Sequence, residues 1–150
     1  MNAFALLKAD HEKVAGMLET IENTTERALK GRAELFARLK EELDLHAKIE
    51  EEILYPALEE IEETREIALE AYEEHRLVKQ LLGELEAEPK NSEEWTAKFT
   101  VLKEDIEHHV EEEEGEMFKK AKQALTKEEI DELGERLQAA KQMGRAAGAR

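Results

Sequence analysis

The chain has 150 residues, of which 41 % are hydrophobic, 40 % are charged and none is cysteine. Without cysteine there can be no disulfide, thiolate metal site, iron–sulfur cluster or cysteine nucleophile. The formal net charge of −16 disfavours binding to nucleic acid or to an anionic membrane surface. No uncharged run approaches the roughly 20 residues of a membrane span, and the N-terminus lacks a signal-peptide pattern, so a cytoplasmic location is expected.

Periodic apolar positions predict five amphipathic helices in a single domain. The first is expected over residues 2 to about 24, followed by a loop over 23–32. The second starts near Ala33 and should kink or end at Pro56, because proline removes a backbone donor and clashes with the preceding turn. The third and fourth are expected over about 63–86 and 92–122, with Asn91 or Ser92 as the cap of the fourth. The fifth opens with capping-box spacing between Thr126 and Glu129.

These elements predict an all-α fold: an up-and-down antiparallel four-helix bundle with a short additional C-terminal helix. Residues 1–143 would form the domain, and residues 144–150 a flexible tail.

Six polar residues interrupt the apolar stripes. In HAKIE (46–50) and HVEEE (109–113) a glutamate follows a histidine by four residues, so both side chains point to the same side of a helix. A histidine also continues the inner stripe of the first and of the third helix. The six residues expected to converge inside the bundle are His11, His46, Glu50, His75, His109 and Glu113.

This set favours a paired metal site over a purely structural polar core. Burying carboxylates without compensation is costly, and two neighbouring carboxylates repel each other. Two metal ions would remove both penalties, because neutral imidazoles and bridging carboxylates are ligands that such ions accept. A single inward histidine is more often a hydrogen-bonded core residue. Two repeated units with a matching histidine on each remaining helix favour metal, although residue types alone do not choose between iron, manganese and zinc.

His108 is predicted to be a surface residue, because its neighbours at helical spacing are Glu104 and Glu112. The acidic run Glu111–Glu114 is likewise expected to face solvent, with only Glu113 inward.

Four segments, LLKADH, LDLHAKIEEEILYPAL, EEHRLV and IEHHVEEEEGEMF, together resemble the hemerythrin-like, or HHE cation-binding, family over about residues 3–142. The resemblance implies a four-helix bundle holding two iron ions with an oxo or hydroxo bridge, in preference to manganese or zinc. It also implies that His11 and His46 serve one iron, that His75 and His109 serve the other, and that both glutamates of the set bridge them.

The resemblance has two departures. Oxygen-carrying members place a further histidine at the position of Lys79. One iron should therefore have an open position, or take water or another oxygen ligand there, which favours ligand exchange over oxygen transport. The second unit has Lys119 where the first has Pro56, so the fourth helix is expected to run on without a kink. Tyr55 and Tyr72 could border the metal site, but packing with polar tips is the favoured interpretation of both.

The expected function is binding and turnover of a small ligand, namely O2, hydrogen peroxide or nitric oxide, by catalase-like, peroxidase-like or ferroxidase-like chemistry. The alternative is a non-catalytic protein that binds, senses or stores oxygen or iron. A narrow apolar interior is expected to admit such ligands and to leave no room for a large organic substrate. Neither nucleic acid nor membrane is expected as a partner, and the chain should be a monomer or a weak homodimer.

Overall fold

The computed structural model describes residues 2–25 and 27–148, and every regular element in these ranges is helical. The α-helices are α1 (Ala3–Glu22), α2 (Leu29–Ile49), α3 (Tyr55–Glu59), α4 (Glu62–Ala87), α5 (Glu93–Glu112), α6 (Phe118–Ala124) and α7 (Lys127–Gly148). A first π-helical segment, Glu50–Leu54, joins α2 to α3, and a second, Glu113–Met117, joins α5 to α6. The predicted antiparallel four-helix bundle with an additional C-terminal helix is therefore confirmed. The expectation that the additional helix is short was wrong, because α7 has 22 residues and α1 has 20.

Side-chain caps mark several of the helix starts. Asn2 accepts a hydrogen bond from the Ala5 amide at 2.9 Å, and Ser92 accepts one from the Trp95 amide at 3.1 Å. The predicted capping box before α7 is confirmed, because Thr126 and Glu129 exchange two hydrogen bonds of 2.9 and 3.1 Å. These caps satisfy amides that have no partner inside their helices.

Helix α2 begins four residues earlier than the pattern predicts. Gly31 lowers the helical propensity of this stretch, but Arg32 anchors it. Arg32 is only 4 % exposed, donates hydrogen bonds to the carbonyls of Thr24 and Lys90, and stacks its guanidinium on the Trp95 ring. The prediction of a loop through residue 32 was wrong because these tertiary contacts stabilise the first turn of the helix.

The two π-helical segments give both histidine–glutamate units the same backbone geometry. The Tyr55 amide donates to the Glu50 carbonyl, and the Phe118 amide donates to the Glu113 carbonyl, five residues back in each case. Pro56 follows the first segment, and α3 ends at Glu59. The fourth helix runs on to Ala124 as expected, but a π-helical segment that forms without a proline interrupts its α-helical hydrogen bonds. Each segment starts instead at a buried glutamate of the predicted site.

Helix α7 packs against α1 and α2 and continues through Gly148. Residues 144–148 are therefore helical and do not form the predicted tail, and residues 149 and 150 lie outside the described ranges. Arg145 pairs with Glu42 at 2.8 Å. At Gly144, α7 approaches α2 so closely that an added Cβ would overlap the side chain of Leu45.

Two apolar clusters fill the bundle, one on each side of a layer of buried polar residues. The first cluster includes Phe4, Leu7, Leu54, Tyr55, Met117 and Phe118. The second includes Val14, Leu18, Leu39, Leu82, Phe99 and Ile106. The bundle has four long helical segments: α1, α2 through α3, α4, and α5 through α6. In each of them the histidine or glutamate of the layer falls between residues of the two clusters, which places the polar layer near the middle of the bundle. Among the described residues, no helix is long and apolar enough to cross a membrane.

Candidate metal centre

The structure brings all six predicted residues together in this polar layer. Their potential ligand atoms form two groups, each with its atoms within 4.8 Å of one another. One group contains His11 and His46, the other contains His75 and His109, and both groups share Glu50 and Glu113. The predicted convergence of four helices is thus present, and the role of these residues as metal ligands stays a prediction.

The two glutamates lie between the histidine pairs. Glu50 Oε1 is 3.0 Å from His46 Nε2 and 3.2 Å from His75 Nε2. Glu113 lies 3.2 Å from His11 Nε2 through Oε1 and 3.2 Å from His109 Nε2 through Oε2. Each carboxylate therefore contacts one histidine of each group, as a bridging ligand would.

Several of these atoms are buried without a hydrogen-bond partner among the described residues. They are His11 Nε2, His46 Nε2, both carboxylate oxygens of Glu50, and Glu113 Oε1. The contacts above are short enough for ion pairing, but at these atoms their angles do not fit a hydrogen bond. Glu50 and Glu113 are 0 % and 1 % exposed, so water does not compensate them from outside. Convergent lone pairs without donors fit a pair of cations, and two such pockets exist.

A second set of carboxylates holds the other nitrogen of every histidine. We call Asp10, Glu51, Glu74 and Glu114 the outer carboxylates. They lie 3.0 Å from His46 Nδ1, 2.9 Å from His75 Nδ1, 2.6 Å from His109 Nδ1 and 2.6 Å from His11 Nδ1, respectively. Such contacts fix the ring orientation and, with the proton on Nδ1, leave Nε2 as the acceptor that faces the interior.

Sequence reasoning did not find the outer carboxylates, and it was wrong to place Glu114 on the solvated face. A positional signal exists. Asp10 and Glu74 each precede the single histidine of their helix, whereas Glu51 and Glu114 each follow the buried glutamate of their unit. The two halves of the chain therefore carry equivalent sets of ligand candidates and outer carboxylates.

When no metal is considered, the carboxylates of the layer raise the pKa of its four histidines. Burial alone would lower the pKa of His109, but hydrogen bonds to Glu113 and Glu74 outweigh it and raise the pKa to about 10. Burial acts in the same direction on His46, yet the charge of Glu50 and the hydrogen bond to Asp10 hold its pKa well above the usual value. Burial raises the pKa of Glu50, but the charge of His46 has the larger opposite effect, so the pKa lies well below its usual range. Metal binding would therefore displace protons from these rings.

Tyr55 belongs to the polar layer, so the interpretation of this residue as packing alone was wrong. Its hydroxyl donates to Glu113 Oε2 at 2.6 Å and lies 3.1 Å from His75 Nε2 and 3.4 Å from His109 Nε2. The equivalent residue of the second unit is Phe118, whose ring is nearly parallel to that of His11 with 6.5 Å between centroids. The two halves of the centre therefore differ: a phenol lies beside one histidine pair and a phenyl ring beside the other.

Tyr72 lies outside the layer and packs against Tyr55. Its hydroxyl donates to the Glu51 carbonyl at 3.3 Å, and its ring packs edge-on against Tyr55 with 5.2 Å between centroids. The packing interpretation fits Tyr72.

A cavity of about 460 Å³ reaches the four histidines from the side of the second apolar cluster. Its walls include Val14, Leu43, Val78, Leu82 and Ile106, and its exposed rim includes Lys79. The expectation was of a narrow interior with no room for a large organic substrate; this volume lies in the lower part of the range of about 300–1,000 Å³ typical of ligand pockets, so the cavity can hold an organic molecule of moderate size.

The sequence profile of the family described as Hemerythrin HHE cation binding domain matches residues 2–121. The chain belongs to this family. A similar solved structure is that of a Hemerythrin HHE cation binding domain-containing protein, the Rv2633c homolog from Mycobacterium kansasii. It has a TM-score of 0.85 and 30 % sequence identity over 98 % of this chain and 89 % of that chain.

Curated relatives of this HHE domain are more distant. The uncharacterized protein Rv2633c of Mycobacterium tuberculosis is 28 % identical over 144 residues, which cover 93 % of this chain and 84 % of that protein. A protein of Nostoc sp. named DNA nickase is 26 % identical over 144 residues, covering 94 % of this chain. The HHE domain spans only 39 % of the length of that Nostoc protein.

His108 lies on the surface of the HHE domain, as predicted. Its side chain is 67 % exposed and pairs with Glu112 at 3.0 Å. Together with Glu74, which also holds His109, these residues form a partly exposed third group of potential ligands outside the two buried groups. Lys79 is also exposed, so its ammonium does not take the place of a ligand in the layer.

Proposed function

We propose that this HHE domain holds two metal ions, with iron as the metal, in the polar layer. The observation that carries the proposal is the set of buried imidazole and carboxylate atoms without hydrogen-bond partners, arranged in two groups that share Glu50 and Glu113. A structural core paired within itself would leave fewer such atoms, because each costs free energy when it is buried and unsatisfied.

The residues of this chain divide the work between them. His11 and His46 would hold one ion, His75 and His109 would hold the other, and the two buried glutamates would bridge them. The outer carboxylates orient each ring and strengthen it as a ligand. Bound iron would supply a redox-active Lewis acid.

We further propose that the centre binds and turns over a small oxidant or radical: O2, hydrogen peroxide or nitric oxide. The cavity gives such a molecule access to the four histidines from one side. From the other side Tyr55 presents a hydroxyl held by Glu113. Burial and the Glu113 charge raise the pKa of Tyr55 well above its usual value, so it keeps its proton at neutral pH and can donate a hydrogen bond into the layer. This arrangement favours ligand exchange and turnover over passive storage.

Metal analysis combined with ligand turnover tests the proposal. Protein from iron-replete cells should contain close to two irons per chain, and the iron-loaded protein should consume peroxide or change its optical spectrum with nitric oxide beyond free iron. His108→Ala is the control variant: it should keep both the iron and the turnover, because His108 lies outside the layer. Iron without turnover would leave the non-catalytic alternative of oxygen or iron binding, whereas less than about 0.2 metal per chain and unchanged melting on chelation would refute the metal centre.

The partners that we propose are small ligands only. The net charge of −16 opposes contact with a DNA backbone, so the name of the Nostoc relative is not extended to this domain. We also propose a cytoplasmic protein that is a monomer or a weak homodimer.

A further inference from the structure

The cavity beside the polar layer has walls suited to a larger molecule than a diatomic gas. Its lining between the helices is aliphatic, from Val14 on α1, Leu43 on α2, Val78 and Leu82 on α4, and Ile106 on α5. Its floor is formed by the four histidines of the polar layer. Its volume of about 460 Å³ exceeds what O2, peroxide or nitric oxide would fill. Aliphatic walls of this extent are best covered by an aliphatic chain.

The mouth of the cavity lies between α2, the first π-helical segment and α4, where the exposed lining residues are found. Two of them, Lys48 and Lys79, are lysines that we call the mouth lysines. Within residues 2–25 and 27–148, neither has a carboxylate within ion-pairing distance. Two carboxylates at the mouth are already paired, Asp44 with Lys40 and Glu51 with His75, each at 2.9 Å. A third carboxylate, Glu52, is exposed at the mouth and has no ion-pair partner among the described residues, so the unpaired groups there carry one net positive charge.

Cationic groups without partners at the rim of an aliphatic cavity select an anion with an apolar body. In a protein with a net charge of −16, an opening whose unpaired groups, the two mouth lysines and Glu52, sum to a positive charge is a local exception to the surface charge. A carboxylate at the mouth would gain charge-assisted hydrogen bonds, and its chain would replace water along the walls. A neutral molecule would gain only the replacement of water along the walls, and a cation would be repelled by the lysines.

We propose that this cavity binds an aliphatic monocarboxylate of medium chain length, with its carboxylate at the mouth lysines and its chain directed toward the histidine floor. The inference deepens the proposed function, because it names the class of organic molecule that reaches the polar layer. It rests on that function only for the chemistry that would follow, since neither the aliphatic walls nor the lysines need a bound metal.

Displacement of a fluorescent fatty-acid probe, dansyl-undecanoate, from the full-length protein as purified tests the inference. Decanoate should displace the probe saturably, at about tenfold lower concentration than decanol. The double substitution Lys48→Gln and Lys79→Gln should weaken decanoate about tenfold and leave decanol unchanged, which is the size expected for two partly exposed ion pairs. The control pair Lys119→Gln and Lys127→Gln removes the same charge from exposed positions outside the cavity lining and should change neither ligand.

Filling the cavity supplies the second half of the test. Leu82→Trp should abolish binding of both ligands, and Val78→Phe, at a half-buried position, tests the same point if the first variant unfolds. Circular dichroism identifies the variants that fold. The inference is overturned if decanoate does not displace the probe, if decanol binds as well as decanoate, or if a folded, filled variant still binds. Metal content measured on the same samples separates this result from the proposed function: if the protein purifies without metal from iron-replete cells and still binds decanoate, the metal centre is refuted and the inference stands.

Discussion

Replacing Tyr55 with phenylalanine isolates one hydroxyl of the polar layer. The side chain is 0 % exposed, and its hydroxyl donates to Glu113 Oε2 at 2.6 Å. A hydrogen bond to a charged group contributes about 1.5–3 kcal/mol, and solvent does not screen this one. We therefore expect Tyr55→Phe to lower the free energy of unfolding by about 2 kcal/mol. For a domain of this size, that loss corresponds to a decrease of about 4–8 °C in Tm.

Tyr72→Phe is the matched control. It removes the same atom from a half-buried ring whose hydroxyl donates to a backbone carbonyl at 3.3 Å, so its Tm should fall by no more than about 2 °C. Both variants are compared with the parent protein by thermal and denaturant unfolding after chelation, so that differences in metal content do not contribute. Equal losses in the two variants would refute the assignment of Tyr55 to the polar layer.

Three further predictions concern the ligands and their partners. His46→Ala and Glu113→Ala should each lose metal and thermal stability together, whereas His108→Ala should change neither; metal stoichiometry and melting curves measured side by side decide this. Asp10→Asn should weaken metal affinity about 10- to 100-fold in competition with a chelator, because Asp10 orients His46; an unchanged affinity would contradict that role. In the metal-free protein, the pKa of His109 is about 10, above its unfolded value of about 6.5. Its contribution to stability is therefore complete below pH 6.5 and lost as the pH rises toward 10; denaturant unfolding across this range checks the sign, and metal affinity should change in the opposite direction.

The helices and the inward residues were predictable because they follow one period. Along α5 and into the second π-helical segment, the buried residues include Phe99, Leu102, Ile106, His109 and Glu113. The same spacing separates inward His109 from exposed His108. A period of 3.6 residues places side chains without knowledge of the partner helix, so one sequence is sufficient for this part of the site.

The remaining parts depend on contacts between helices. In a chain with 38 acidic residues, nothing in the composition distinguishes Glu114, which holds His11, from its solvated neighbours. Tyr55 was named as a possible neighbour of the site, but its contact was not predictable because the π-helical segment inserts one residue into the turn before the ring that meets Glu113. The early start of α2 depends on Arg32 contacting distant loops, and the cavity depends on the separation of α2 from α4.

Two of the outer carboxylates, one in each half of the layer, have different partners outside it. Asp10, which holds His46, also pairs with Lys141 of α7, and it is only 5 % exposed. Burial raises the pKa of Asp10, but hydrogen bonds to His46 and Lys141 lower it more. Its counterpart Glu74, which holds His109, has a side chain 30 % exposed and borders Glu112 instead of a lysine. The C-terminal helix thus supplies a lysine partner to the carboxylate that holds His46. If the layer holds two metal ions as proposed, undocking α7 should make the two positions release their cations at unequal rates.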